Sequence, residues 1–325
     1  MSSNLQASAY PPPAAEAPAG GLPENKKGAV LKKPFALRKS IINIYYIPAL
    51  LLFLLFIIFP FFNGIRISFT NWNGYLPGYK YIGFKNYVFL AHDPNIGISF
   101  LNTVIYGFGS TLFQNIIGLA FALFLNTKFR GRTLLRTVIY LPVMIAPLIM
   151  GYAMFFFLQY SGGALNDLIH LFGMQPVDWL ASGSRAVGII TAVNSLQYLG
   201  IAMIIYLAGL QNIPVMYHEA AAIDGIRPAA EFRYITLPLL LPAITSSVII
   251  NLIGGLKLFD IIQALTGSGS VSMGTSSLST YLTYEYFNGN NAGYSAAIGI
   301  VTFLFIMGVS NIAMAFFRKK EVDFG

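Results

Sequence analysis

The stretch IINIYYIPALLLFLLFIIFPFF, residues 41–62, contains no charged residue, and its one amide side chain is Asn43. A helix needs about 20 apolar residues to cross the hydrocarbon core of a bilayer. The run is too long for the apolar core of a secretory signal peptide, and no small-residue cleavage site follows it. It therefore predicts an uncleaved membrane-spanning helix.

Five further apolar runs of similar length follow along the chain. Hydrophobic residues make up 56% of the 325 residues and charged residues only 10%, whereas a soluble domain usually carries about 25% charged residues. The sequence therefore predicts an all-α fold, a polytopic membrane bundle of about six transmembrane helices. These helices are expected near residues 41–62, 100–126, 135–158, 185–209, 238–262 and 292–317.

The distribution of basic residues predicts how these helices are oriented. With a cytoplasmic N-terminus, fifteen of the 20 Lys and Arg residues lie in cytoplasmic segments and four lie outside. An excess of Lys and Arg marks the cytoplasmic side of membrane proteins, so both termini of this multi-pass protein are expected in the cytoplasm. The formal charge of +8 thus reflects orientation in the membrane and does not indicate nucleic-acid binding.

The chain divides by composition into a tail, a membrane domain and a second, short tail. Residues 1–38 are rich in Pro, Ala and Gly and cannot bury a core, so they predict a disordered cytoplasmic tail. Residues 39–318 are expected to form the transmembrane domain, and residues 319–325 a cytoplasmic C-terminal tail.

The residue types present exclude several kinds of chemistry. The chain has no Cys and only three His, without the spacing H-x-x-x-H, so no metal site and no catalytic residue is expected. It also has no G-x-x-x-x-G-K-[ST] segment to cradle the phosphates of ATP. A membrane enzyme would need clustered His, Asp or Glu near a membrane face, and the sequence shows no such cluster.

One predicted cytoplasmic loop is much longer than a simple connection. Residues 210–238 read LQNIPVMYHEAAAIDGIRPAAEFRYITLP, whereas most helix–helix connections take about 2–8 residues. The segment Glu219–Ile223 favours a helix, Gly225 is suited to end it, and Pro228 is suited to begin another. The loop therefore predicts a helix–turn–helix along the inner membrane face, either a docking surface for another protein or an interfacial hairpin without a partner.

The spacing within this loop resembles the EAA motif of binding-protein-dependent ABC importers. Every fixed position of that motif is filled, by Glu219-Ala220-Ala221, Gly225, Ile235 and Leu237-Pro238. The resemblance implies a coupling helix that fits a cleft on a cytosolic ATPase. The residues implied in this coupling are Glu219, Ala220, Ala221, Asp224 and Gly225.

Further segments, over most of residues 41–323, resemble the maltose-type sugar permeases of that group. They are Ile47-Pro48-Ala49, Phe59-Pro60, Ser68–Trp72, Tyr81–Tyr87, Leu258-Phe259-Asp260 and Arg318–Val322. One departure is Gly267–Ser270, where a Gly-Gly-Pro turn is common in the family.

The resemblance implies a non-enzymatic permease subunit of the type I ABC importer fold that carries a sugar or oligosaccharide. Its implied partners are the lipid bilayer, a second homologous permease, two copies of an ATPase and an extracytoplasmic solute-binding protein. ATP and Mg would be bound by the ATPase, with no cofactor on this chain.

Polar residues inside membrane helices are costly and therefore mark candidate substrate pathways. Two helical faces are marked in this way, each by residues three and four positions apart. The residues are Asn194, Gln197 and Tyr198 on the fourth predicted helix and Asn251, Gly254 and Gly255 on the fifth. Amides and an aromatic ring suit a neutral sugar; the alternative is interhelical hydrogen bonding with close glycine packing.

Lys257 and Asp260 lie three residues apart in the fifth predicted helix, on a face expected to turn away from Asn251. They are interpreted as a structural ion pair or, alternatively, as a gate or substrate contact. Glycerol 3-phosphate is the alternative substrate within the family, and an ion-driven secondary transporter is the rival from another class.

Overall fold

The computed structural model describes residues 46–267 and 274–320. Within these ranges the chain is helical apart from turns, loops and one isolated antiparallel bridge between Thr70 and Tyr81. The predicted tail 1–38, most of the C-terminal tail and Ser268–Ser270 lie outside the described residues. The chain divides into two units, residues 1–54 and residues 55–325; of the first, residues 46–54 are described and are helical.

The described helices are labelled here in chain order. They are α1 (Tyr46–Ser68), α2 (Lys85–His92), α3 (Pro94–Asn126), α4 (Arg132–Met144), α5 (Pro147–Leu158), α6 (Ala164–Leu171), α7 (Gly183–Gln211), α8 (Val215–Ile223), α9 (Pro228–Leu239), α10 (Leu241–Leu256), α11 (Asp260–Thr266), α12 (Leu278–Phe287) and α13 (Ala292–Arg318).

Four of these helices, α1, α3, α7 and α13, are each long and apolar enough to cross a bilayer. The pairs α4–α5 and α9–α10 bring the number to six if each bent pair makes one crossing. The bends measure 97° and 67°, and Pro147 and Pro242 lie at the start of the second helix of each pair. Proline cannot donate the helical hydrogen bond and clashes with the preceding turn. The predicted all-α membrane bundle is confirmed.

Among the helices that could span a membrane, α7 has the largest buried share. Small residues bring its neighbours close. A Cβ on Gly118 of α3 would lie 2.7 Å from the Cβ of Ala202, and one on Gly209 would lie 2.6 Å from the Cβ of Ala243 in α10. Helices in lipid associate through such close packing because lipid is as apolar as the side chains. Consequently α7 is the helix around which α3 and α10 are arranged.

A single carboxylate joins the start of α3 to α12 and α13. Oδ2 of Asp93 accepts hydrogen bonds from the hydroxyls of Tyr281 at 2.5 Å and Tyr294 at 2.7 Å. Its Oδ1 accepts the backbone N–H of Asn95 at 2.9 Å and so caps α3. Hydrogen bonds to an ionised acceptor are among the stronger ones in proteins, so Asp93 is expected to contribute to stability.

Asp93→Ala is expected to lower the melting temperature of the purified protein in detergent. Hydrogen bonds to a charged group contribute about 1.5–3 kcal/mol each, so a fall of roughly 5–10 °C is expected. The measurement is a thermal denaturation series, with Asp167→Ala as a control because Asp167 is exposed. Equal melting temperatures for both variants would contradict the role given to Asp93.

Candidate functional site

The helices α8 and α9 form the helix–turn–helix predicted between α7 and α10. Helix α8 ends in a Schellman motif, in which the N–H of Gly225 donates to the carbonyl of Ala222 at 3.2 Å and the N–H of Ile226 to that of Ala221 at 3.0 Å. Gly225 has a φ of +66°, which glycine adopts without a Cβ clash. The turn that the sequence predicts at Gly225 is present in the structure. The name coupling hairpin is used below for residues 215–239.

The coupling hairpin carries both acidic and large apolar side chains on its surface. Glu219, Ala220 and Asp224 are exposed, and Ile223 is 86% exposed. Ala221, which the resemblance implies among the coupling residues, is buried, so its side chain packs within the chain. An exposed apolar side chain between two carboxylates fits a partner with an apolar cleft and basic residues.

The coupling hairpin is packed against the ends of the membrane helices. Tyr217 packs on a buried cluster that includes Tyr206 and Leu210 of α7, Ile213, and Leu240 between α9 and α10. Since α8 follows α7 and α9 leads into α10, the coupling hairpin is joined to the ends of both helices.

A contact that sequence reasoning missed joins the two halves of the coupling hairpin. Nδ1 of His218 lies 2.5 Å from Oε1 of Glu231, and this is the one contact of salt-bridge length within residues 46–267 and 274–320. The two residues are thirteen positions apart, so helical spacing gives no signal of the contact. The turn at Gly225 is what brings them together.

Most of the predicted pathway residues meet at one cavity, called the central cavity below. It has a volume of about 230 Å³ and lies between α7, α10 and the break before α11. Its lining includes Asn194, Tyr198, Asn251, Gly254, Gly255, Lys257 and Asp260 from the predicted set, together with Gln114, which the sequence analysis did not single out. The sequence does mark Gln114 as a candidate pathway residue, because it is an amide within an apolar run.

Several polar groups of the central cavity have incomplete hydrogen bonding within the described residues. Gln114 donates from Nε2 to the backbone carbonyl of Asn194 at 3.1 Å, while its buried Oε1 has no partner. Asn251 makes one long hydrogen bond, 3.3 Å from Nδ2 to Oγ of Ser247. Buried polar groups are usually fully paired, so these side chains are suited to bind a polar substrate.

The two adjacent glycines of α10 have different surroundings. A Cβ on Gly255 would lie 2.7 Å from Oγ of Ser110 and 2.9 Å from the Cα of Gly107, so Gly255 serves close packing against α3. A Cβ on Gly254 would have no atom within 4 Å. Gly254 therefore faces open space of the central cavity, whereas Gly255 makes the close glycine packing that was weighed as the alternative.

The structure does not bring Gln197 to the central cavity. Gln197 is fully buried, and its Nε2 donates at 3.0 Å to the carbonyl of Ile145 at the bend between α4 and α5. A bend frees backbone groups that cannot be left unpaired within a membrane. Gln197 thus lies where it stabilises the bent pair.

The expectation that Lys257 and Asp260 lie on one helix, turned away from Asn251, is wrong. Helix α10 ends at Leu256 and α11 begins at Asp260, with Phe259 outside helical geometry at φ −135°. Because the chain turns there, both residues line the central cavity together with Asn251. Across the described ranges no ion pair joins Lys257 to Asp260.

Known proteins similar to this chain are transport components. A family model described as "Binding-protein-dependent transport system inner membrane component" matches residues 114–322. The trehalose/maltose transport system permease protein MalF of Thermococcus litoralis is 33% identical over 275 residues, which cover 85% of this chain and 92% of that protein. The multiple sugar-binding transport system permease protein MsmF of Streptococcus mutans is 32% identical over 292 residues, covering 87% and 99%.

The fold is also found in a solved bacterial ABC transporter involved in the import of the acidic polysaccharide alginate. The TM-score is 0.77 at 24% identity, over 87% of this chain and 96% of the other. The family match spans the coupling hairpin and the central cavity alike. The chain therefore belongs to the binding-protein-dependent inner membrane components and is a multi-pass, non-enzymatic permease subunit of an ABC importer.

Proposed function

We propose that this permease imports a neutral sugar or oligosaccharide through the central cavity. The observation that carries the proposal is the convergence of Gln114, Asn194, Tyr198 and Asn251 on one hollow within the membrane helices. Amide groups both donate and accept hydrogen bonds, as sugar hydroxyls do, and an aromatic ring offers an apolar face for a sugar ring. Relatives named for trehalose, maltose and multiple sugars support the same substrate class.

The charges around the central cavity favour a neutral substrate over an anion. Among the residues that the structure describes, Lys257 is the one cation in its lining, and the carboxylate of Asp260 is in the same lining. One positive and one negative side chain leave no net charge for a phosphate. Glycerol 3-phosphate, which would require an excess of Lys or Arg, is therefore the less suitable substrate.

The size of the central cavity supports pairing with a second permease. Its volume of about 230 Å³ is smaller than the roughly 300–1,000 Å³ of typical ligand sites. A homologous second permease would complete the site from the opposite side. We propose that the complex also contains two copies of an ATPase, which bind ATP and Mg, and an extracytoplasmic binding protein. A bacterial alginate transporter has been solved with its pentasaccharide-bound periplasmic protein.

The coupling hairpin is proposed to link the ATPase to the membrane helices. Glu219, Ala220, Asp224 and Gly225 would contact the ATPase, with Ala221 supporting them from the buried side. Movement of α8 and α9 then shifts α7 and α10, which carry Asn194 and Asn251. In this scheme residues 39–318 form the permease domain, loop 210–238 lies in the cytoplasm, and both termini are cytoplasmic, as the basic residues favour.

Uptake into proteoliposomes tests the proposal. The complete complex with its binding protein is given radiolabelled maltose, trehalose, maltotriose, arabinotriose or glycerol 3-phosphate, with ATP inside. We expect ATP-dependent accumulation of at least one neutral sugar and none of glycerol 3-phosphate. Accumulation of glycerol 3-phosphate alone would identify the anion as the substrate. Uptake driven by an ion gradient without ATP would indicate a secondary transporter.

A further inference from the structure

A second cleft, the α5–α11 cleft, lies at the C-terminal ends of α5 and α11. It has a volume of about 600 Å³, within the range of about 300–1,000 Å³ that is usual for small-molecule sites. Within residues 46–267 and 274–320, its polar lining consists of Tyr152, Gln159, Tyr160, Asp178, Gln263 and Thr266. The predicted pathway residues do not line it, so it is separate from the central cavity.

The polar side chains of the α5–α11 cleft are available to a ligand. The amides of Gln159 and Gln263, the carboxylate of Asp178 and the hydroxyl of Tyr160 make no hydrogen bond to any residue in the described ranges. Tyr160 is also 56% exposed, so its ring offers an accessible face. Two amides, a carboxylate and tyrosine rings around one concave space suit a ligand with many hydroxyl groups and apolar ring faces.

The walls of the α5–α11 cleft are held in place by buried contacts. Asn166 is 2% exposed, and its Nδ2 donates to the carbonyls of Gln159 and Tyr160, both at 3.1 Å. Its Oδ1 accepts hydrogen bonds from the N–H of Val177 at 3.1 Å and from Nε1 of Trp179 at 3.0 Å. The backbone of Val177 and the side chain of Trp179, on either side of Asp178, are thereby fixed to the end of α5, which makes the cleft a pre-formed site.

The cleft and the central cavity are built on the same two helices. Pro147 begins α5 and Asp260 begins α11, and both line the central cavity. The later residues of α5 and α11 line the cleft. Twelve residues of α5 span about 18 Å at 1.5 Å per residue. The two hollows therefore follow one another along one pair of helices, which close packing holds together: a Cβ on Gly151 would lie 2.5 Å from the Cβ of Ala264.

We propose that the α5–α11 cleft is a second carbohydrate-binding site, which holds the sugar next to the central cavity along the same helices. The inference rests on the proposed function, because it takes the transported substrate to be a sugar. Gln159, Gln263 and Asp178 hydrogen bond to its hydroxyls, and Tyr160 packs against its ring. The bound sugar thus has a site outside the central cavity. Only the central cavity needs a second subunit to complete its volume.

Single cysteines provide a direct test, because the natural chain has none. Ala181→Cys and Tyr152→Cys are placed separately in the complete complex with cysteine-free partner subunits, and the rate of maleimide labelling is measured in detergent. Both positions line the cleft, and neither is among the four side chains proposed to hold the sugar. Maltotriose, trehalose and arabinotriose are the probes. A bound sugar should slow labelling at both positions, by about tenfold at a concentration roughly ten times the dissociation constant. Leu171→Cys is the matched control, since Leu171 is 81% exposed and does not line the cleft.

The result is read beside uptake of the same sugars by the same variants. Protection at Ala181→Cys and Tyr152→Cys by a transported sugar, without protection at Leu171→Cys, supports the site. Normal uptake of a sugar that protects neither position overturns the inference and leaves the proposed function standing. Protection by the binding protein alone, with no effect of free sugar, also overturns it, since the cleft would then be a protein contact. Absence of uptake of every sugar by the unmodified complex would instead contradict the proposed function.

Discussion

Gly225→Pro is expected to abolish both ATP-driven uptake and co-purification of the ATPase with the permease. Proline cannot adopt the φ of +66° found at this position, and it lacks the N–H that donates to the carbonyl of Ala222. A cost of about 3 kcal/mol or more corresponds to roughly a hundredfold loss of the docked conformation. Affinity purification in detergent and proteoliposome uptake measure the two effects.

The chain offers a matched control for this prediction on a different connection. Gly173, after α6, has a φ of +74°, and its N–H donates to the carbonyl of His170 in the same kind of helix-ending motif. Gly173→Pro does equal local damage but lies outside the coupling hairpin, so the ATPase should still co-purify. Loss of the ATPase from both variants, or from neither, would remove the evidence for a specific coupling role at Gly225.

Gly254→Phe is expected to block transport while the complex still assembles. An added side chain at Gly254 meets open space, because no atom lies within 4 Å of its Cβ position. The ring would occupy a central cavity of only about 230 Å³ and displace the substrate from Asn194 and Asn251. We expect sugar uptake to fall at least about a hundredfold, the equivalent of roughly 3 kcal/mol, with normal ATPase co-purification.

The neighbouring glycine provides the contrasting variant. Gly255→Ala places a Cβ 2.9 Å from the carbonyl oxygen of Tyr106, where a backbone shift is needed to accept it. Overpacking of this kind costs about 1–3 kcal/mol, so the melting temperature should fall. Gly254→Phe should leave the melting temperature nearly unchanged. If Gly254→Phe transports sugar normally, the central cavity is not the substrate pathway.

The central cavity shows which residues of a site can be predicted from the spacing of polar residues in the sequence. Spacings of three and four residues place Asn194 beside Tyr198 on one helix, and the structure brings both to the central cavity. Spacing alone could not separate Gln197, which lies on the same turn but pairs with the freed carbonyl of Ile145. That carbonyl is available because α4 and α5 meet at a sharp bend at Pro147. Which side chain reaches it depends on how α7 packs against the bend.

The error at Lys257 and Asp260 has a related cause. Local sequence gave no strong helix breaker at residues 257–259, so a continuous helix was expected there. In the structure the chain turns at Phe259, and α11 packs against α5, with a Cβ on Gly151 only 2.5 Å from Ala264. The packing of two helices far apart in sequence decided a local break that helix propensity did not predict.

By itself the sequence determined the properties that follow from local chemistry. Long apolar runs must lie in lipid and must be helical there, because backbone groups in a bilayer have no water to pair with. The turn at Gly225 follows from the conformational freedom of one residue type. Only the tertiary structure decided which polar groups share a space. His218 meets Glu231, Gln114 joins the central cavity, and Gly255 packs while Gly254 stays open, because each contact depends on how separate helices are placed against one another.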